Sequence, residues 1–334
     1  MKILFGGKKN FYKGNMHCHS NLSDGTLTPE ELKDSYKAHG YSILAITDHE
    51  HINNNSYLDD EDFLTITSCE VAIKQFPEQS TLVNQAMKVC HLNLYAKEQD
   101  NVYNACYNEV YDHFSSKERR VAFKRPEKDF ERVYGAEGIN NIIKTANENG
   151  FFVAYNHPRW SLENYGDYSG YEGLWGVEIY NSSVNALGIY EYDINVVDDF
   201  LRDGKKIFAT SGDDNHNKRK NDCFGTFVMI NADELEYSKI IKALLDGDFY
   251  TSTGPEIYEI SVEDFTVHVK CSNAKKINLS TIGRRAATVN ADDDSFLNEA
   301  VFTLKENDGY FRISVIDEKG KIADSQSFFL DDIK

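Results

Sequence analysis

The run Asn15-Met16-His17-Cys18-His19-Ser20-Asn21-Leu22-Ser23-Asp24-Gly25 places two imidazoles two residues apart and a carboxylate shortly after them. On an extended segment alternate side chains share a face, so His17 and His19 point together and Asp24 follows after a short turn. That arrangement suits a divalent metal. A single His-x-His pair is weak evidence, because packed histidines produce it too. The pattern recurs, however, in Ile43-Leu44-Ala45-Ile46-Thr47-Asp48-His49, in Leu64 to Glu70, in Val89-Cys90-His91, in Phe151 to Pro158 with Asn156-His157, and in Ile207 to His216 with Asp213, Asp214 and His216. Apolar strand bodies with polar tips are how a parallel barrel presents ligands at one rim.

The elements that must carry these tips can be read in order. Thr28-Pro29-Glu30-Glu31-Leu32 reads as a helix start, with a threonine cap, proline in the first turn and acids beside it; that helix should end at Gly40. Strand, helix, strand with short connections implies parallel crossover units. Residues 51 to 62 are polar and read as a rim loop. A helix from Gly138 to Asn149, a strand Gly176–Asn181, a helix from Asp193 to Asp203 stopped by Gly204, a strand from Gly225 to Ile230 and a helix near Asp233 to Leu245 follow. From Ile257 the texture changes to alternating segments with Asn-Asp-Gly and Lys-Gly turns, which read as a small β-sandwich-like domain over 257–334.

The ordered set His-x-His, Ser-Asp-Gly, Thr-Asp-His, Glu, His, Asn-His-Pro and Asp-x-His resembles the PHP (polymerase and histidinol phosphatase) superfamily, from about Asn15 to Pro255. Gly247 to Pro255 also resembles the closing segment of a subgroup of carbaryl-hydrolase-like metallohydrolases. The resemblance implies an α/β fold, a distorted (β/α)7 TIM-like barrel over residues 1–256. It also implies two to three divalent ions of Zn, Mn or Fe. One would be held by His17, His19, Glu70 and Asp214, a second by Glu70, His91 and His157, and a third by Asp24, His49 and His216. Many relatives carry histidine where Asp24 stands. Asp213 is an alternative to Asp214, but the Asp-x-His spacing favours Asp214 if the segment is extended.

The function so implied is a metal-dependent phosphoesterase acting on a small phosphomonoester or nucleotide, with Glu70, Asp214 and His49 as catalytic residues. A water bridging two divalent ions loses its proton near neutral pH, and the resulting hydroxide can attack phosphorus. Carboxylic ester, carbamate or amide hydrolysis by the same cluster is the alternative, and a non-catalytic scaffold a third reading. Arg159 is a candidate phosphate contact, since a guanidinium fork matches phosphate oxygens. His51 is a candidate substrate contact, and Asp48 or His51 a candidate for the leaving-group proton. Residues 95–137 break the pattern and carry Lys117-Glu118-Arg119-Arg120 and Lys124-Arg125-Pro126. Following the His91 strand, this insertion should emerge at the ligand rim, either as a lid that meets an anionic group or as a solvated charged helix.

The formal net charge of −18 argues against a broad nucleic-acid or membrane-binding surface, and leaves room for a small anionic, phosphorylated substrate at a metal centre. The six cysteines (18, 69, 90, 106, 223 and 271) lack metal-motif and disulfide spacing, which fits buried thiols in a cytoplasmic protein. Cys18, Cys69 and Cys90 adjoin proposed ligands, so alternation should turn them into the core.

Overall fold

The computed structural model describes residues 1–7, 10–219 and 221–333, apart from the side chains at 117, 118 and 121. The chain begins with strands β1 (Lys2–Gly6), β2 (Asn10–Asn15), β3 (Ile43–Ala45), β4 (Leu64–Ile66), β5 (Ser68–Lys74) and β6 (Val89–Ala96). It continues through β7 (Phe151–Tyr155), β8 (Gly176–Asn181), β9 (Phe208–Gly212), β10 (Phe227–Ala232) and β11 (Phe249–Ser252). In one arc of sheet β2, β3 and β4 are parallel neighbours. A second arc has the order β5-β6-β7-β8-β9. The two arcs meet at two places. Cys18 bridges Asn215 and His49 bridges Glu70, both in parallel. At these junctions the Asp214 N–H donates to the His17 carbonyl at 2.7 Å and the Glu70 N–H to the Asp48 carbonyl at 3.2 Å. The backbone therefore joins at the residues expected to bind metal.

This is a mixed α/β arrangement, and it departs from a parallel barrel at β6, which runs antiparallel to both β5 and β7. A parallel return needs a long crossover, usually a helix. The link between β5 and β6 contains only short 3-10 turns and closes as a hairpin, with the Gln75 N–H donating to the Lys88 carbonyl at 3.0 Å. As a result His91 lies near the start of its strand, opposite Ala72, and the chain leaves β6 at Ala96, away from the rim. The 95–137 segment therefore does not emerge at the ligands but has to come back to them.

Four helices brace the arcs. The first, Pro29–Ala38, has the expected cap: Thr28 Oγ1 accepts from the Glu31 N–H, and the Thr28 N–H donates to Glu31 Oε2. Ala136–Glu148 buries Ile139, Ile142, Ile143 and Ala146, spaced to form one stripe, and packs on β7. Ile194–Arg202 and Tyr237–Asp246 each start a little later than the expected helices, and the second ends on Gly247 with a left-handed φ of 79°.

The remaining strands are β12 (Ile257–Glu263), β13 (Thr266–Ala274), β14 (Lys276–Thr281), β15 (Ala286–Asn290), β16 (Leu297–Thr303), β17 (Tyr310–Ile316), β18 (Ile322–Ser325) and β19 (Phe328–Phe329). They make no clean break at residue 257. β1 joins them in a four-stranded sheet β1-β12-β13-β16, and β18 pairs with β11, so one ten-stranded sheet runs from β15 through β2 to β4. Their core is also shared, extending from Leu32, Tyr36 and Leu44 to Ile277, Ile313 and Val315.

Candidate metal centre

The nine expected ligands come together where the arcs meet. Three overlapping groups form: His17, His19 and Glu70; Glu70, His91 and His157; and His19, Asp24, His49 and His216, with the donor atoms of each group within 4.8 Å of one another. Glu70 is common to the first two and His19 to the first and third. His17 Nε2 lies 3.3 Å from both Glu70 Oε1 and Asp214 Oδ1, and His19 Nε2 lies 3.1 Å from Asp214 Oδ1. His91 Nδ1 and His157 Nε2 are 3.1 and 3.4 Å from Glu70 Oε1, and His49 Nδ1 is 3.1 Å from Glu70 Oε2. In the third group His216 Nε2 and His49 Nε2 stand 3.1 and 3.6 Å from Asp24 Oδ1.

These residues fit divalent ions. Nitrogen and oxygen ligands at about 2.0–2.2 Å in a tetrahedron stand about 3.2–3.6 Å apart, and the separations here cluster in that range. The Nε2 atoms of His17 and His19 face one another at 3.3 Å, a separation that two ligands of one cation adopt. Asp24 Oδ1 is buried and makes no hydrogen bond. Imidazole and carboxylate without thiolate suit Zn, Mn or Fe. The cysteines take no part: Cys18, Cys69 and Cys90 are free and buried.

The positions of these side chains are set by their neighbours. Glu178, in the middle of β8, accepts from His17 Nδ1 at 2.9 Å and from the His157 N–H at 3.2 Å, which leaves His17 Nε2 free to ligate. Asn156 Nδ2 donates to Glu70 Oε1 at 2.8 Å, and Asn181 Nδ2 to both Glu178 and Asp214. Gly212 lets β9 pass close by, since a Cβ there would sit 2.3 Å from His17 Cβ. Asp214 and His157 have φ of 51° and 28°, so neither is extended. Asp214 reaches the cluster after the strand has ended, which is a different route from the one its spacing with His216 suggested. Asp213 is turned away and fully buried, accepting from Tyr36, Ser182 and the backbone of Phe224, Gly225 and Thr226.

The electrostatics favour ionised carboxylates, while the rings divide: burial opposes a charge on all of them, yet the surrounding carboxylates raise His17, His91 and His216 above the ordinary histidine value, whereas His49 stays below it. Burial pushes Asp24, Glu70 and Asp214 toward the neutral acid, yet the histidines around each hold it below the usual carboxylate range. Burial, with His216 and His49 beside it, lowers His19 to about 3.

Three further candidate residues have partners of their own. Asp48 does not face the cluster: it accepts from Ser20 N–H, Ser20 Oγ, Ser23 Oγ and Asn53 Nδ2 and ties the two rim turns together. Arg159 pairs with Asp193 at 3.0 Å, because the carboxylates of Glu191 and Asp193 lie beside its loop and capture both its backbone and its side chain. His51 stacks on Phe123 at 3.6 Å and accepts at Nδ1 from Arg119; burial and that guanidinium lower it to about 3, so it is no proton donor.

The 95–137 segment covers the mouth with one short helix, Lys117–Ala122, and otherwise irregular chain. A buried ion pair, Arg132 Nη1 to Glu50 Oε1 at 2.8 Å, anchors its end, and Phe114 stacks on His49 with ring centroids 5.7 Å apart. Trp160 packs against His157 and His91 at 4.9 and 5.3 Å. Sequence reasoning did not single out Glu178, Phe114 or Trp160; the inward-facing glutamate inside an apolar strand was the one available signal.

The PHP domain family matches this chain over residues 15–192. No curated protein matches it. Among solved structures, a two-domain protein from Bacteroides vulgatus containing a predicted PHP-like metal-dependent phosphoesterase is similar at 14% identity, covering 99% of this chain and 97% of its own, with a TM-score of 0.46. An amidohydrolase from Chromobacterium violaceum, solved with bound sulfate and no metal, is similar at 15% identity over 61% of this chain and 87% of its own, with a TM-score of 0.36.

Proposed function

The chain belongs to the PHP domain family, and on that premise we propose that it is a metal-dependent hydrolase that cleaves a small phosphomonoester or nucleotide. The observation that carries this reading is the pair of shared ligands: Glu70 and His19 link three donor groups into one contiguous site. When bound there, divalent ions would polarise a phosphoryl group and acidify a coordinated water.

The chain's own residues do the rest. Glu70 and Asp214 stay ionised and hold negative charge against the cations. Glu178 fixes the tautomer of His17 and, through the His157 N–H, the loop that carries His157. Phe114 packs on His49 and Trp160 on His157, so a substrate would enter past aromatic faces. No serine or cysteine nucleophile is required. Asp48 and His51 are both engaged elsewhere, so neither supplies the leaving-group proton.

The test is hydrolysis of para-nitrophenyl phosphate, bis(para-nitrophenyl) phosphate and para-nitrophenyl acetate by chelator-stripped protein reloaded with Mn, Zn or Fe. Metal-dependent release from the phosphomonoester, lost in His17→Ala and Asp214→Ala, is the expected result. Turnover of the acetate alone would replace the phosphoesterase reading with ester hydrolysis.

A further inference from the structure

Arg120, Arg132, Arg159 and Arg312 each hold a carboxylate. Arg119 does not. Among the described residues no carboxylate pairs with it; instead Nη1 donates to the Leu22 carbonyl at 2.6 Å and Nη2 to His51 Nδ1 at 2.8 Å. Neither partner is a carboxylate, and one N–H of each terminal nitrogen together with Nε–H is left over.

Its location is specific. Leu22 lies in the turn that ends on Asp24, and His51 follows His49, so the guanidinium is wedged between two ligand-bearing turns. Lys218 stands on the far side of the same turn, with Nζ 3.4 Å from Asp24 Oδ2. The insertion does not need Arg119 for docking, because Arg132–Glu50 and the Ile52 N–H to Asn104 Oδ1 bond already fasten it. The two bonds hold the guanidinium beside both ligand-bearing turns, outside the ring of ligands.

We propose that Arg119 is a specificity-determining residue that receives a second anionic oxygen group, carried on the alcohol part of the substrate beside the phosphoryl group that is cleaved. This rests on the phosphoester reading. His51 acts as a positioning residue, accepting from Nη2 and stacked on Phe123 so that the fork cannot swing away.

The experiment compares a matched pair, glycerol 2-phosphate and 2-phosphoglycerate, which differ by one carboxylate. Binding of each to the manganese-loaded full chain is measured by titration calorimetry, with para-nitrophenyl phosphate turnover assayed separately. The expected result is about tenfold tighter binding of 2-phosphoglycerate, as one charge-assisted hydrogen-bonded contact gives. Arg119→Gln should bring the ratio near one, and Arg119→Lys should retain part of it. No preference in the unaltered protein, no measurable binding of either ligand, or equal loss in the Lys and Gln variants with a matching drop in melting temperature overturns the proposal. A persisting preference without para-nitrophenyl phosphate turnover would sink the phosphoesterase reading alone and leave the anion site standing.

Discussion

β14 and β17 bury an apolar set, with Ile277, Leu279, Ile313 and Val315 all sequestered. At the rim, the equally buried positions are His17, His19, Asp48, Glu70 and Asp213. The first region converts burial into stability at about 25 cal/mol per Å² of apolar surface. The second places carboxylates and imidazoles where water cannot solvate them, which destabilises the fold unless partners or cations compensate. The two are not independent. β18 and β11 join them in one sheet, so the apolar C-terminal strands are positioned to hold the polar rim in shape.

The contrast can be broken by substitutions that should separate stability from activity. Glu70→Gln should have the largest effect, lowering hydrolysis by more than about 10²-fold and reducing bound metal, with little or no loss of melting temperature in chelated protein; loss of a residue that only orients a ligand typically costs about 10–100-fold. Metal analysis and calorimetry on the same samples would show it. Ile313→Ala should do the reverse, costing about 2–5 kcal/mol of stability while leaving activity per folded molecule intact, measured by denaturant titration. Glu178→Gln sits between the two, with about 10–100-fold weaker activity and metal affinity from a freed His17 tautomer. Thr28→Ala should cost only about 1 kcal/mol through its lost cap.

A smaller effect sharpens the comparison. Glu191 is raised to about 9 by burial and by the neighbouring Asp193. The folded state therefore keeps a proton that the unfolded chain gives up above the ordinary glutamate range. Stability should fall as pH rises from there to about 9 and level off beyond it. Glu191→Gln should flatten that part of the melting-temperature profile; an unchanged slope would assign the dependence elsewhere.

The metal centre was readable because its residue types are rare and sit at the ends of apolar runs. His17, His19, Glu70, His91 and His157 each follow or interrupt such a run, and all converge. Less legible were features set by chain reversal and by through-space approach. Nothing local in Val89 to Ala96 says that β6 runs backward. Arg159 looked like a phosphate contact because it follows His157 in sequence, yet Asp193 holds it, while Arg119 reaches the mouth from an insertion with no fixed spacing to any ligand. Asp213 and Asp214 are adjacent and chemically alike; the left-handed turn at Asp214 is what sends one into the core and the other to the cluster. Glu178 was hidden because a lone acid inside a strand has no repeating partner to give it away.

The reversed β6 also bears on how such a protein can diversify. The chain departs from the ring at Ala96, on the side remote from the ligands, and rejoins it through the helix Ala136–Glu148. Phe114 and Arg119, which stand at the mouth, are strung between those two fixed points. Insertions, deletions and recombination within that stretch can exchange one entrance for another without moving a single ligand, so selectivity can change over a chemistry that stays constant.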